Sequence, residues 1–129
     1  MKKIVVCVLG ALLLSGCSIR AADLTLASTK NININSDTSE SYKLSGKPRF
    51  IKGARVTGTN YVPVVLVPFG VPDVEEAADS AIEQDHCAVA LSDVVINQNN
   101  YSFLFGALGF EVEGDLVIDR MQPGCENRK

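Results

Sequence analysis

The sequence predicts an α+β fold, a small antiparallel or mixed sheet of about five to six strands covered on one face by a single helix near residues 73–84. Three observations carry that expectation. One capped stripe of 3.6-residue period occurs, inside 73–84. Period-two runs lie on both sides of it, the cleanest over 110–119. The stretches between the runs are short, as connections between neighbouring antiparallel strands are.

Taken in order, Leu24, Leu26, Ile32 and Ile34 share one parity, and Asp23, Thr25, Thr29, Asn31 and Asn33 share the other. This pattern reads as a first strand, broken near Thr29. Residues 35–41 are rich in Ser, Thr, Asn and Asp and read as a loop, which Gly46-Lys47-Pro48 continues. A second strand is expected over 49–58, with Phe50, Ala54 and Val56 on one side and Arg49, Arg55 and Thr57 on the other. Thr59-Asn60 reads as a turn. The nearly all-apolar run 61–69 then reads as a buried strand, with Pro63 and Pro68 confined to its ends or to an edge.

The helix signal follows. Asp73 is placed to cap the first turn, with Glu76 three residues on, as in a capping box. Val74, Ala77, Ala78, Ala81 and Ile82 form the apolar stripe, and Glu75, Asp79 and Glu83 face solvent. A stripe made mostly of alanine predicts a close approach of helix to sheet. Residues 87–96 are strand-like, Asn97-Gln98-Asn99-Asn100 reads as a polar turn, and a return strand is expected over 101–108. Gly106 and Gly109 suggest a bend within it. Phe110, Val112, Leu116 and Ile118 then oppose Glu111, Glu113, Asp115 and Asp119 across a last strand. Gln122-Pro123-Gly124 ends the pattern.

The N-terminus has its own logic. Met1-Lys2-Lys3 is positive, and residues 4–14 carry no charge. That run is shorter than the ~20 residues a spanning helix needs and fits the apolar region of an export signal. Leu14-Ser15-Gly16-Cys17 follows, and it resembles the lipobox of bacterial lipoproteins. The resemblance implies diacylation of the Cys17 thiol with palmitate-type chains, cleavage between Gly16 and Cys17, and acylation of the new amine. Two or three such chains would hold the protein on a bilayer, whereas one myristoyl chain binds only marginally. Ser18, where an Asp would resemble an inner-membrane retention signal, points to the outer membrane and its periplasmic side.

The expected organisation is therefore a signal peptide (1–16), a lipidated tether (17–22), one domain (23–120) and a tail (121–129). Of the 129 residues, 113 remain after cleavage, which suits a single domain. Lys2 and Lys3 leave with the signal, so 10 of the 12 basic residues face 15 acidic ones, a formal charge of −5. That composition lacks the basic footprint of a nucleic-acid binder. Cys87 and Cys125 would lie in an oxidising compartment. They either pair, tying the tail to the segment after the helix, or remain as a buried and a loose thiol.

Further stretches resemble a group of small bacterial lipoproteins without assigned activity, with a general likeness to TRL-like lipoproteins. They are Ala22-Asp23-Leu24-Thr25-Leu26-Ala27-Ser28-Thr29-Lys30-Asn31, Val67-Pro68-Phe69-Gly70, Glu75-Glu76-Ala77, Leu91-Ser92-Asp93-Val94-Val95 and Val112-Glu113-Gly114-Asp115. The resemblance implies an architecture and carries no catalytic residue with it.

Chemistry-bearing patterns are sparse. His86 is the sole histidine, and no Gly-x-Ser-x-Gly elbow accompanies it. Asp85-His86-Cys87 lacks a second cluster at ligand spacing, so His86 reads as a helix-end residue bonding the last carbonyls, and no metal or cofactor is expected. The acidic row Glu111, Glu113, Asp115 and Asp119 reads as a solvated outer face. No phosphate loop is present around Gly46-Lys47 or the later glycines. The terminal Arg128-Lys129 is similar to the end of the major outer-membrane lipoprotein, whose last lysine joins peptidoglycan. The reading that follows is a non-enzymatic envelope module with a bilayer and an envelope protein or peptidoglycan as partners. A small hydrolase using Asp93 with Glu111 or Glu113, and a self-assembling structural subunit, are the alternatives.

Overall fold

A computed structural model describes residues 16–30, 46, 48–102 and 104–129. Residues 1–15 of the signal segment, the 35–41 loop, and Ile32 and Ile34 of the expected first strand lie outside the described residues. The chain runs β1 (Cys17–Ala27), β2 (Phe50–Val65), β3 (Val67–Pro68), α1 (Val74–Ile82), β4 (Ala88–Asn100) and β5 (Phe105–Asp119). The sheet is antiparallel throughout, in the order β1-β4-β5-β2-β3. The α+β class with one helix is therefore what the chain adopts.

The strand count differs from the expected five to six. There are four full strands, and β3 is a two-residue strip folded back on the end of β2. Two expected turns are continuous strand. Thr59 and Asn60 stay in the ladder opposite Glu111 and Phe110, and Tyr61 continues it opposite Gly109. Gly109 supplies no bend; a Cβ there would collide with the Asn60 carbonyl and the Tyr61 backbone, so it permits β2 and β5 to pair without interruption. The Asn97–Asn100 stretch is likewise strand, paired with 17–20 on one side and 108–111 on the other. Its side chains are polar, but ladders on both edges fix its backbone.

The expected tether is also strand. Residues 17–20 pair with 97–100, and a bulge at Ala21 separates them from the pairs Ala22–Ile96 to Ala27–Leu91. β1 thus starts at Cys17 itself and ends at Ala27, before the break expected near Thr29.

Helix α1 forms where the stripe predicts. The Asp73 carboxylate accepts from the Glu75 amide at 2.8 Å. The reciprocal half of the capping box is replaced, because the Asp73 amide donates to Asn60 Oδ1 (3.0 Å). Ala77, Ala78, Ala81 and Ile82 are buried against the sheet. Gly58 is where they meet it: a Cβ at Gly58 would overlap Ala77 O and Ala81 N. The small stripe and this glycine together set the close approach. α1 rests mainly on β2 and β5, less on β4. Leu91, Val94, Ile96, Val112, Leu116 and Ile118 complete the core.

Leu91 and Val94 both reach that core although they stand three positions apart, an odd spacing that would put them on opposite faces of a regular strand. Asp93 lies between, in the left-handed region (φ 51°), inside a bulge where β4 slips one residue against β5. Asp tolerates this conformation better than most residues. The bulge turns Val94 inward, and Asp93 outward onto the opposite face of the sheet.

Candidate functional site

Two regions carry chemistry, and they occupy opposite ends of the strands. At the end where β2 begins and β5 finishes, the acidic row of β5 meets a basic row on β2. Arg49 grips Asp119 with Nε (3.0 Å) and Nη2 (2.7 Å). Lys52 Nζ reaches Asp115 at 2.7 Å and Asp93 at 3.6 Å. Arg55 Nε binds Glu113 at 2.5 Å and Nη1 lies 3.6 Å from Asp115. The row is thus not a uniformly solvated acidic face: Asp115 and Asp119 are buried and every member but Glu111 has a cationic partner. Antiparallel register brings Arg55 opposite Asp115 and Lys52 opposite Val117, which the sequence of either strand alone does not reveal.

These pairs set protonation. The hydrogen bond from Lys52 holds the Asp115 carboxyl below its ordinary 3.8, and Lys52 is raised in return above 10.5. Burial works to raise Asp119, but the Arg49 fork and the Met121 amide outweigh it and hold the carboxyl below 3.8. Carboxylates committed in this way are acceptors for cations, not proton donors near neutrality.

A groove of about 400 Å³ opens beside this network, lined by Arg20, Asp23, Thr25, Arg55, Asp93 and Val95. It contains Asp93 but neither Glu111 nor Glu113. On the helix side a second groove, about 390 Å³, runs between β1 and α1 and is lined mostly by apolar groups, among them Leu24, Val74, Ala78, Val94 and Ile96. It exists because the nine-residue helix ends its cover short of β1.

The tail is fixed at the charged end. Cys87 and Cys125 are joined in a disulfide with Cα atoms 5.8 Å apart. Arg128 binds Asp85 (3.0 Å), and Arg120 donates to the Arg128 carbonyl (2.7 Å). His86 lies beyond the helix end and faces Asp85 (3.8 Å) and the Cys87 sulfur (3.4 Å), not the last helical carbonyls expected for it. His86, Cys87 and Cys125 place their donor atoms within 4.8 Å of one another, but both sulfurs are committed to the S–S bond and offer no thiolate to a metal.

At the other end of the strands the chemistry changes. Cys17 opens β1 with its thiol exposed, and it is the one free cysteine among the described residues. The Tyr101 ring lies against Gly16. Asn99 is buried and donates to the Tyr61 hydroxyl (2.8 Å). No charged side chain occurs between Arg55 and Asp73 or between Asp93 and Glu111, two stretches that help build this end; on β1 the first charges are the paired Arg20 and Asp23. Among the described residues no helix is long and apolar enough to cross a membrane.

Compared with protein-family models, curated proteins and solved structures, the chain matches none.

Proposed function

We propose that the chain is a lipoprotein of the bacterial cell envelope, cleaved between Gly16 and Cys17, acylated on Cys17, and held on the periplasmic side of the outer membrane as a non-catalytic binding or assembly module. The observation that carries this reading is the division of labour among the cysteines. Cys87 and Cys125 are bridged, as suits an oxidising compartment, while Cys17 is free, exposed and placed at the start of the folded domain. The Leu14-Ser15-Gly16-Cys17 motif and the stretches that resemble small bacterial lipoproteins support the same reading.

The module character rests on β1. Among the described residues its outer edge pairs with no strand, over eleven residues. Such an edge offers backbone donors and acceptors to an added strand. The neighbouring apolar groove would receive that strand's side chains. A hydrolase drawing on acidic residues has less support, since the groove holding Asp93 brings no second carboxyl from Glu111 or Glu113 to it.

Intact-mass analysis of protein extracted from membranes tests the anchor. The expected product begins at Cys17 and carries two or three acyl chains. A mature chain with an unmodified Cys17, or with the signal retained, would sink the proposal. Crosslinking from positions on β1 in the native envelope tests the module; recovery of lipid alone, with no protein or glycan, would count against it.

A further inference from the structure

We infer that the uncharged end of the sheet is itself a membrane-contacting surface, a second point of attachment that lays the domain directly against the bilayer beside its acylated cysteine. The inference rests on the proposed anchor for its orientation and on the following geometry for its substance.

Four chain segments converge at this end: the start of β1, the β4–β5 connection, the start of β5, and the β2–β3 corner. The register places them side by side, Cys17 opposite Asn100, Asn100 opposite Leu108, and Phe105 opposite Val65. The two tips are tied to each other, because the Leu66 amide donates to the Leu104 carbonyl at 2.7 Å. The surface so formed carries Leu66 at 71 %, Val67 at 64 %, Phe69 at 70 % and Phe105 at 66 % exposure, with Tyr101 and Leu104 about half exposed.

Exposed apolar side chains are ordinary when scattered, but contiguous large ones mark a contact surface. Leu66 sharpens the point. Its backbone is left-handed (φ 64°), a conformation that branched, bulky residues rarely adopt, and its side chain is spent on exposure rather than on the core. A structural role would favour glycine at that corner.

The occupant that fits is a lipid surface. A protein partner's interface would be expected to include some charge for specificity, whereas β2, β3, β4 and β5 bring none to this end over two runs of seventeen residues, 56–72 and 94–110, and the first charges along β1, Arg20 and Asp23, are paired with each other. Phenylalanine, leucine and tyrosine without charge match the depth of the headgroup boundary, where tyrosine collects. The anchor lies within the same surface: β1 begins at Cys17 with no intervening linker, and Cys17 pairs with Asn100, the neighbour of Tyr101. Acyl chains leaving Cys17 would draw this end, and not the charged one, to the membrane.

The chain contains no tryptophan, so a single introduced one is a clean reporter. Phe69→Trp, Phe105→Trp and, at the charged end, Met121→Trp would be prepared as membrane-extracted protein and reconstituted in phosphatidylethanolamine–phosphatidylglycerol vesicles with brominated acyl chains. Blue-shifted, bromine-quenched emission at positions 69 and 105, with neither at 121, is expected. Water-like emission at 69 and 105 in protein whose mass shows acylated Cys17 would overturn the inference and leave the anchor intact. Should Cys17 prove unmodified, the anchor reading fails, and titrating the same variants with vesicles still decides: quenching at 69 and 105 supports the surface, and its absence overturns it. Vesicle-free protein of twice the monomer mass with blue-shifted emission at 69 and 105 would assign the surface to a second copy and would also overturn it. Phe69→Glu combined with Phe105→Glu should weaken vesicle binding of unacylated protein by about tenfold or more.

Discussion

The two ends of this sheet solve different problems with the same backbone. At one end, β2 and β5 face each other with opposite charges, Arg49 on Asp119 and Lys52 and Arg55 on Asp115, and a disulfide closes the tail over them. At the other end the same two strands carry no charge, and their large apolar residues point outward. The comparison teaches that stability and exposure have been separated along the strand axis. The charged end is closed on itself, with its ionic groups already partnered. At the uncharged end the contacts beyond the ladder are neutral ones: the Leu66–Leu104 backbone bond, the Asn99–Tyr61 hydrogen bond and the tilted Tyr61–Tyr101 ring pair.

If that separation is real, substitutions should divide by end. The largest loss is expected from Asp119→Ala, which removes the carboxylate that accepts from the Arg49 fork and from the Met121 amide. Removing one partner of a buried ion pair costs about 3–5 kcal/mol, measurable as a fall in denaturant midpoint. Removing the disulfide with Cys87→Ser and Cys125→Ser releases a 38-residue separation and should cost about 2–4 kcal/mol, visible as a lower Tm that reducing agent reproduces in the parent protein. Gly58→Ala should cost about 1–3 kcal/mol, since the added methyl group can be housed only by lifting α1 from the sheet. The near-ultraviolet signal of Tyr61 would report little of it, whereas amide exchange in 74–82 would quicken.

The acid side of the pH dependence should belong to the charged end, while on the alkaline side Tyr101, raised chiefly by burial, adds a share from the other end. Asp115 and Asp119 are lowered on folding, so their stabilisation is complete above the ordinary carboxylate value of 3.8 and is lost as pH falls through their lower folded values. Lys52 is raised, so its share is present below 10.5 and is lost as pH rises through its folded value. A thermal-melt series should therefore be flat from about pH 5 to 9 and fall on both sides. Lys52→Met should lessen the alkaline limb without abolishing it, since Tyr101 is raised as well.

The smallest effects are expected at the uncharged end. Phe69→Ser and Phe105→Ser should change stability by no more than about 0.5 kcal/mol, as exposed positions do. Leu66→Gly should hold or raise the melting temperature slightly, because it relieves a left-handed leucine. A loss of several degrees in any of these would mean that this end supports the fold, and the contrast between the ends would collapse.

How much of this was readable beforehand follows from what each signal depends on. The helix was legible because capping and periodicity are local: Asp73 and the Val74–Ile82 stripe lie within one segment. The α+β class was legible for the same reason, but the choice between an antiparallel and a mixed sheet was not. Continuity of β2 through Thr59-Asn60, and of β4 through Asn97 to Asn100, was not, since those residues have turn composition and are strand only by virtue of their partners. The charged network was half legible. The acidic row could be seen, as could Arg49 and Arg55 on one side of a strand, but Lys52 was not singled out, and only register tells which cation meets which carboxylate. The Asp93 bulge and the start of β1 at Cys17 are likewise facts of pairing. The exposed apolar end was the hardest to read. A run such as 61–69 has the composition of a buried strand, and only the fold shows that its second half turns outward.

Amide hydrogen exchange on the membrane-extracted protein, compared between detergent-free vesicles and a released, unacylated form, addresses the central contrast most directly. Added protection on vesicles confined to 65–69 and 104–106 is expected, with exchange at 49–55 and 113–121 unchanged. Protection gained at the charged end instead, or at neither end, would contradict it.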